Sequence, residues 1–241
     1  MDWQLILALI VFMVISYLIF KLVKKLIMAS LIIALIVITA SVISGYMIWK
    51  DSSSFQNNFP SSKNLFLLEK NGKIMAGFEA VLDGAEEPVY LDSAPYSDYI
   101  NSFPGYYKTV VMHDLMFDSI TELEIGEFVY PKTEIDNYLG FSNAYEVFIT
   151  NYSAAVSEEE DIPVDAVKEQ VAESFSDSGV KDDSTLKAML SAQMFGKVME
   201  EDDFFALYHD SKLDIYPKTI FLKILKKMPK SLLKIIARSE A

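Results

Sequence analysis

Residues 3–49 read WQLILALIVFMVISYLIFKLVKKLIMASLIIALIVITASVISGYMIW, and this stretch decides the architecture before any other. Trp3 to Phe20 is one apolar run and Leu26 to Trp49 a second, each free of charge and proline. Lys21, Lys24 and Lys25 lie between them. A bilayer core of about 30 Å is crossed by roughly 20 apolar residues in a helix, and both runs fall within the working range of about 17–25. The first run is not a signal peptide by its flanks: it opens with Asp2 instead of a basic region, and no small-residue cleavage site precedes the lysines. Trp3, Tyr46 and Trp49 stand at run ends, where amphipathic rings favour the interface.

The lysine patch allows two readings. One unbroken helix over residues 3–49 would be about 70 Å long. It would leave one apolar run outside the bilayer, or bury three lysines in it at a cost of several kcal/mol. The expectation is therefore a two-helix transmembrane hairpin, 3–20 and 26–49, although the patch holds no glycine or proline to turn the chain. Ser30/Ala34, Ala40/Ser44 and Ser41/Gly45 give the second run small residues at four-residue spacing, which suits close helix packing. The positive-inside rule puts Lys21, Lys24 and Lys25 in the cytoplasm against Lys50 and Lys63 opposite, so the main domain is expected to be extracytoplasmic.

Beyond the runs the charge changes sign. Residues 51–216 hold 10 lysines and arginines against 32 acids, a net −22 within the chain's total of −13. Such a body is no nucleic-acid binder, because counterion release needs a basic face. An anionic membrane surface repels it. With no cysteine, disulfides, zinc–thiolate sites and thiol chemistry are excluded.

Residues 51–63, rich in serine and closed by Pro60, read as a linker. The domain that follows, 64–216, is expected to be α+β, with strands first and helices later. Asn64 to Glu69 and Lys73 to Phe78 flank Asn71-Gly72, the signature of a type I′ β-hairpin. Val89 to Leu91, Tyr106 to Met112 and Leu123 to Tyr130 are further strand candidates, while Tyr145 to Ile149 fits strand or helix. Val164, Val167, Val171 and Phe175 then recur at helical spacing after Pro163, with Gly179 as the stop. A second helix starts near Ser184, capped by Asp182, Asp183 or Ser184, and carries Leu186, Met189, Leu190, Met194 and Val198 on one face.

The last segment, 217–241, is an amphipathic pattern. Phe221, Ile224, Leu225, Met228, Leu232, Ile235 and Ile236 share one face, with Lys223, Lys226, Lys227, Lys230, Lys234 and Arg238 opposite. A basic amphipathic helix lies in a membrane interface, so these bases and Lys21, Lys24 and Lys25 are the candidate membrane-interface residues. The alternative is docking on the acidic body. Pro229 predicts a kink.

Two dipeptides carry possible chemistry: His113-Asp114 and His209-Asp210, the chain's only histidines. Imidazole and carboxylate are common ligands of hydrolytic metals and form acid/base pairs. If the fold joined the pairs, with Asp118 as a fifth ligand, a metal-dependent hydrolase would follow. The acidic runs 158–161 and 200–203 lack the spacing of a calcium loop. Tyr96, Tyr99, Phe103, Tyr106 and Tyr107 crowd a loop punctuated by Pro95, Pro104 and Gly105, either a cap on the core or a recognition surface. No phosphate loop, dinucleotide fingerprint, serine elbow or zinc-protease helix is present. The expectation is a non-enzymatic, membrane-anchored interaction or scaffold protein of the cell envelope, without a cofactor. Its partners would be the bilayer and another protein. The alternatives are the hydrolase and an accessory subunit of a larger membrane complex.

Overall fold

The computed structural model describes residues 3–84, 87–91 and 105–231. The chain divides into two compact units, 1–50 and 51–241. The first is built from one helix, α1, which runs from Trp3 to Asn58 and whose last turns belong to the second unit. Its portion Phe20–Asn58 is long and apolar enough to cross a membrane, and it is the one such helix among the described residues.

The expected hairpin is not formed. Backbone hydrogen bonding continues straight through Lys21-Leu22-Val23-Lys24-Lys25. Lysine and leucine are good helix formers, and nothing here removes a donor or frees the backbone to reverse. Two spans are thus replaced by one continuous helix. The linker expectation is corrected likewise: residues 51–58 are helical, and Phe55 and Phe59 are buried. The turn after them is fixed by Asn64, whose buried amide donates to Phe59 O at 2.6 Å and Ser62 O at 2.8 Å.

The second unit is α+β, strands leading and helices following. Its five-stranded mixed sheet has the order β3-β2-β1-β4-β7. β1 (Asn64–Lys70) and β2 (Lys73–Ala80) form the expected hairpin, with Asn71 at φ 54° and Gly72 at φ 74°, the positive angles of a type I′ turn. β3 (Val89–Tyr90) pairs with β2, β4 (Thr109–His113) runs parallel to β1, and β7 (Leu213–Tyr216) is antiparallel to β4. One sheet face, with Phe66, Leu68, Phe78, Val110 and Met112, enters the main core; Leu65, Leu67 and Val111 point to the other. That two-sided burial explains why β1 reads as a continuous apolar run and not an alternation.

A 3-10 turn (Asp114–Phe117) leads to a small hairpin, β5 (Glu122–Ile125) and β6 (Phe128–Pro131). The helices follow: α2 (Lys132–Gly140), α3 (Ala144–Glu160), α4 (Val164–Asp177), α5 (Asp183–Glu201), α6 (Phe204–His209) and α7 (Ile220–Leu225). The ambiguous Tyr145 to Ile149 stretch is helical, because Ala144, Phe148 and Ile149 turn one face into the core. α5 packs on β2 and carries the apolar face expected of it. Its N-cap is Asp182, which accepts from Thr185 N at 2.8 Å while the Thr185 hydroxyl accepts from Asp182 N at 3.0 Å, a reciprocal capping box.

Candidate functional site

The two His-Asp dipeptides occupy separate structural roles. His113 ends β4 opposite Glu69 of β1, and its ring nitrogens lie 3.5 Å from Glu69 and 3.5 Å from Asp214 of β7. It bridges carboxylates on both neighbouring strands. Asp114 lies instead 3.8 Å from Lys70, which also holds Asp136 at 3.1 Å. His209 caps the end of α6: Nδ1 meets Asp210 at 2.9 Å and Nε2 meets the Met228 carbonyl at 2.9 Å. Asp210 also takes Lys230 at 2.8 Å. The two imidazoles share no partner, and Asp118 faces Lys132 at 3.5 Å. Among the described residues no three histidines and carboxylates are grouped to hold a metal ion.

The carboxylates in these contacts are tuned as ion-pair members. Burial pushes the Asp214 carboxyl up, but the hydrogen bond and charge of Lys226 at 2.9 Å, with Lys218 at 3.4 Å, outweigh it and leave the pKa lowered. Asp210 is lowered by its hydrogen bonds to Lys230 and His209.

Those lysines belong to the C-terminal amphipathic segment. Within the described residues its apolar face is used: Phe221 and Leu225 are buried in the body, as is Leu222 beside that face, and Met228 packs against the same core, while Leu232, Ile235 and Ile236 lie outside the described residues. Through residue 231 this matches the docking alternative, with Lys226 and Lys230 paired to the body. Lys223 and Lys227 are exposed, as are Lys21, Lys24 and Lys25 on α1. Lys234 and Arg238 lie outside the described residues.

The aromatic loop divides as well. Tyr96, Tyr99 and Phe103 lie outside the described residues. Tyr106 donates to the buried Glu79, packs beside Leu65 and Leu67, and has Lys63 5.4 Å above its ring. The Tyr107 hydroxyl donates to Ser54 O at 3.1 Å. Both rings serve the interior of the body.

Around Tyr107 the end of α1 is pinned. Lys108 is buried between the Phe55 and Tyr107 rings, 5.9 Å and 5.1 Å from their centroids, and donates to Pro217 O at 3.3 Å. Burial lowers its pKa, and the charge of Asp51 opposes that shift. Asp51 accepts from the Phe221 amide at 2.6 Å and so joins the end of α1 to the first turn of α7.

Beside this pin lies a pocket of about 660 Å³. The end of α1 supplies Phe55, Gln56 and Phe59. The end of β2 and the following loop supply Phe78, Ala80, Val81 and Leu82. α5 contributes Ala192, Phe195, Gly196 and Met199, and α6 contributes Phe204 and Phe205. The walls are braced by ring contacts: Phe55 stacks on Phe59 at 4.8 Å, Phe59 meets Phe204 at 5.0 Å, and Phe66 behind the wall stacks on Phe78 at 4.9 Å. No histidine, lysine, arginine or carboxylate is among the described lining residues. The described lining suits apolar matter and offers no titratable side chain.

Sequence reasoning missed this site because four distant elements build it. One local signal was present: Phe55 and Phe59 stand four apart, a helical stripe inside the serine-rich stretch read as linker. No protein family, curated protein or solved structure matches the chain.

Proposed function

We propose that this protein is a membrane-anchored, non-enzymatic binding module of the cell envelope. The supporting observation is the pocket: an apolar cavity within the usual 300–1,000 Å³ range of ligand sites, built without a titratable side chain among its described lining residues. The histidines that would serve a hydrolase are instead engaged in separate ion-pair and hydrogen-bond struts. In this reading Leu26 to Trp49 is the span, with Lys21, Lys24 and Lys25 on the cytoplasmic side and the body outside. A protein partner is chosen by charge: the net −22 of residues 51–216 attracts a basic surface and repels anionic headgroups.

The test is photocrosslinking. A benzophenone amino acid replaces Leu82, an exposed wall residue, in the full chain in membranes of expressing cells. The expected result is an adduct of discrete mass after illumination, reduced when Gly196→Leu narrows the pocket. Adducts undiminished in that variant, or none in either protein, would overturn the proposal.

A further inference from the structure

Resting on that reading, we infer that the pocket holds a single acyl chain, carried by an amphiphile with no net negative charge. The described walls match hydrocarbon: rings from Phe55, Phe59, Phe195 and Phe204, the Met199 thioether, and Gln56 as the one polar side chain among the described lining residues. Taking roughly 30 Å³ per group, the share of a water in the liquid, 660 Å³ holds up to about 20 methylene-sized groups. That is one chain, not the two of a diacyl lipid.

Charge selects the head. No lysine, arginine or histidine is among the described lining residues to pair with a carboxylate or phosphate. The described charged residues next to the lining in sequence are chiefly acids: Glu79, Asp83, Glu87, Glu200 and Asp203. Lys197 is the one base among them, and it already faces Glu200 at 3.9 Å. A fatty-acid carboxylate would find no cation among the described lining residues to pair with, whereas a zwitterionic head carries its own counter-charge. The bilayer supplies the ligand. Phe55 follows Trp49, the end of the apolar run, by six residues, which the chain can separate by no more than about 20 Å. Single-chain amphiphiles concentrate at that interface, and each methylene buried from water tightens binding about fourfold.

Gly196 makes the inference testable. It sits in α5 on the pocket wall, and a Cβ built there meets nothing within 4 Å. Gly196→Leu therefore starts from open space at the wall, narrows the pocket and removes a helix-interior glycine, so its thermal midpoint should equal or exceed that of the parent. The full chain, which has no cysteine, carries Met199→Cys and is reconstituted in phosphatidylcholine nanodiscs. The readout is the rate at which an uncharged maleimide modifies this single introduced thiol. Dodecanoyl lysophosphatidylcholine should slow it saturably, at least tenfold. Dodecanoate should need about ten times the concentration, and glycerophosphocholine should do nothing. The slowing should weaken in Met199→Cys/Gly196→Leu and be absent at a Val129→Cys control on the exposed β6 surface. Unchanged reactivity of the Met199→Cys thiol, equal slowing in the narrowed variant, or equal potency of the carboxylate would overturn the inference. If pocket-dependent crosslinking at Leu82 survives such a failure, the binding-module reading stands and only the acyl assignment falls.

Discussion

Replacing Phe55 with alanine tests whether the end of α1 is part of the folded body. Phe55 is 2% exposed and contacts the rings of Phe59, Phe205 and Phe221 at centroid distances of 4.8, 5.9 and 6.2 Å. Buried Phe→Ala changes cost about 3–5 kcal/mol. The low end applies here, because the ring already borders an open pocket and its loss widens that opening instead of creating a sealed void. About 3 kcal/mol on a body of this size lowers the thermal midpoint by about 6–12 °C. The assay is near-ultraviolet circular dichroism of the full chain in detergent, where tyrosines report on the body because Trp3 and Trp49 both lie in residues 1–50. Trp49→Ala, six residues earlier in the same helix and 66% exposed, is the control and should change the midpoint by less than about 2 °C. If Phe55→Ala also shifts it by less than about 2 °C, residues 51–59 are a linker after all and the ring contacts of Phe55 do not hold the body together.

Three further outcomes follow from the same contacts. Asp182→Ala removes one half of the capping box and should cost about 0.5–2 kcal/mol in denaturant unfolding. Asp214→Asn should destabilise the body by about 1–3 kcal/mol at pH 7, through its charge-assisted bond to Lys226. Because the folded pKa is lowered, that stabilisation is present above the unfolded value of about 3.9 and lost as pH falls through the folded one. The gap between parent and variant should thus close below about pH 4, and a gap independent of pH would contradict the assignment. Lys108 shifts the same way but carries a penalty in place of a gain: its lowered folded pKa means the unfolded chain binds more protons between that value and about 10.4, so stability contributed by this group rises with pH there. Lys108→Met should remove that rise when its unfolding curves are subtracted from the parent's between pH 8 and 10. It should be neutral or stabilising at pH 7, since a buried cation is replaced by apolar volume.

The features legible in the sequence are those that local chemistry dictates. Asn71-Gly72 demands positive φ at two successive residues, so the β1–β2 hairpin follows from the dipeptide. Asp182 and Thr185 satisfy the first amides of α5 from within the same turn, so that helix start follows as well. The apolar run from Leu26 to Trp49 makes a helix long enough to span by length alone. Even the failure at Lys21 to Lys25 is instructive: bilayer costs favoured a hairpin, but no residue there could turn the backbone, and the local rule prevailed.

Only tertiary structure decided where side chains of mixed character are spent. Each histidine had an aspartate beside it in sequence. His209 kept that neighbour and added the Met228 carbonyl; His113 instead bridges Glu69 and Asp214, one from an adjacent strand and one from a segment about a hundred residues on. Phe221, Leu222 and Leu225 could have faced lipid, and the body's core claimed them. The Phe55/Phe59 stripe is the pocket's one local mark in the sequence, because α1, β2, α5 and α6 each contribute one wall. Composition and period set what an element is; what it packs against depends on which distant surfaces the chain brings together.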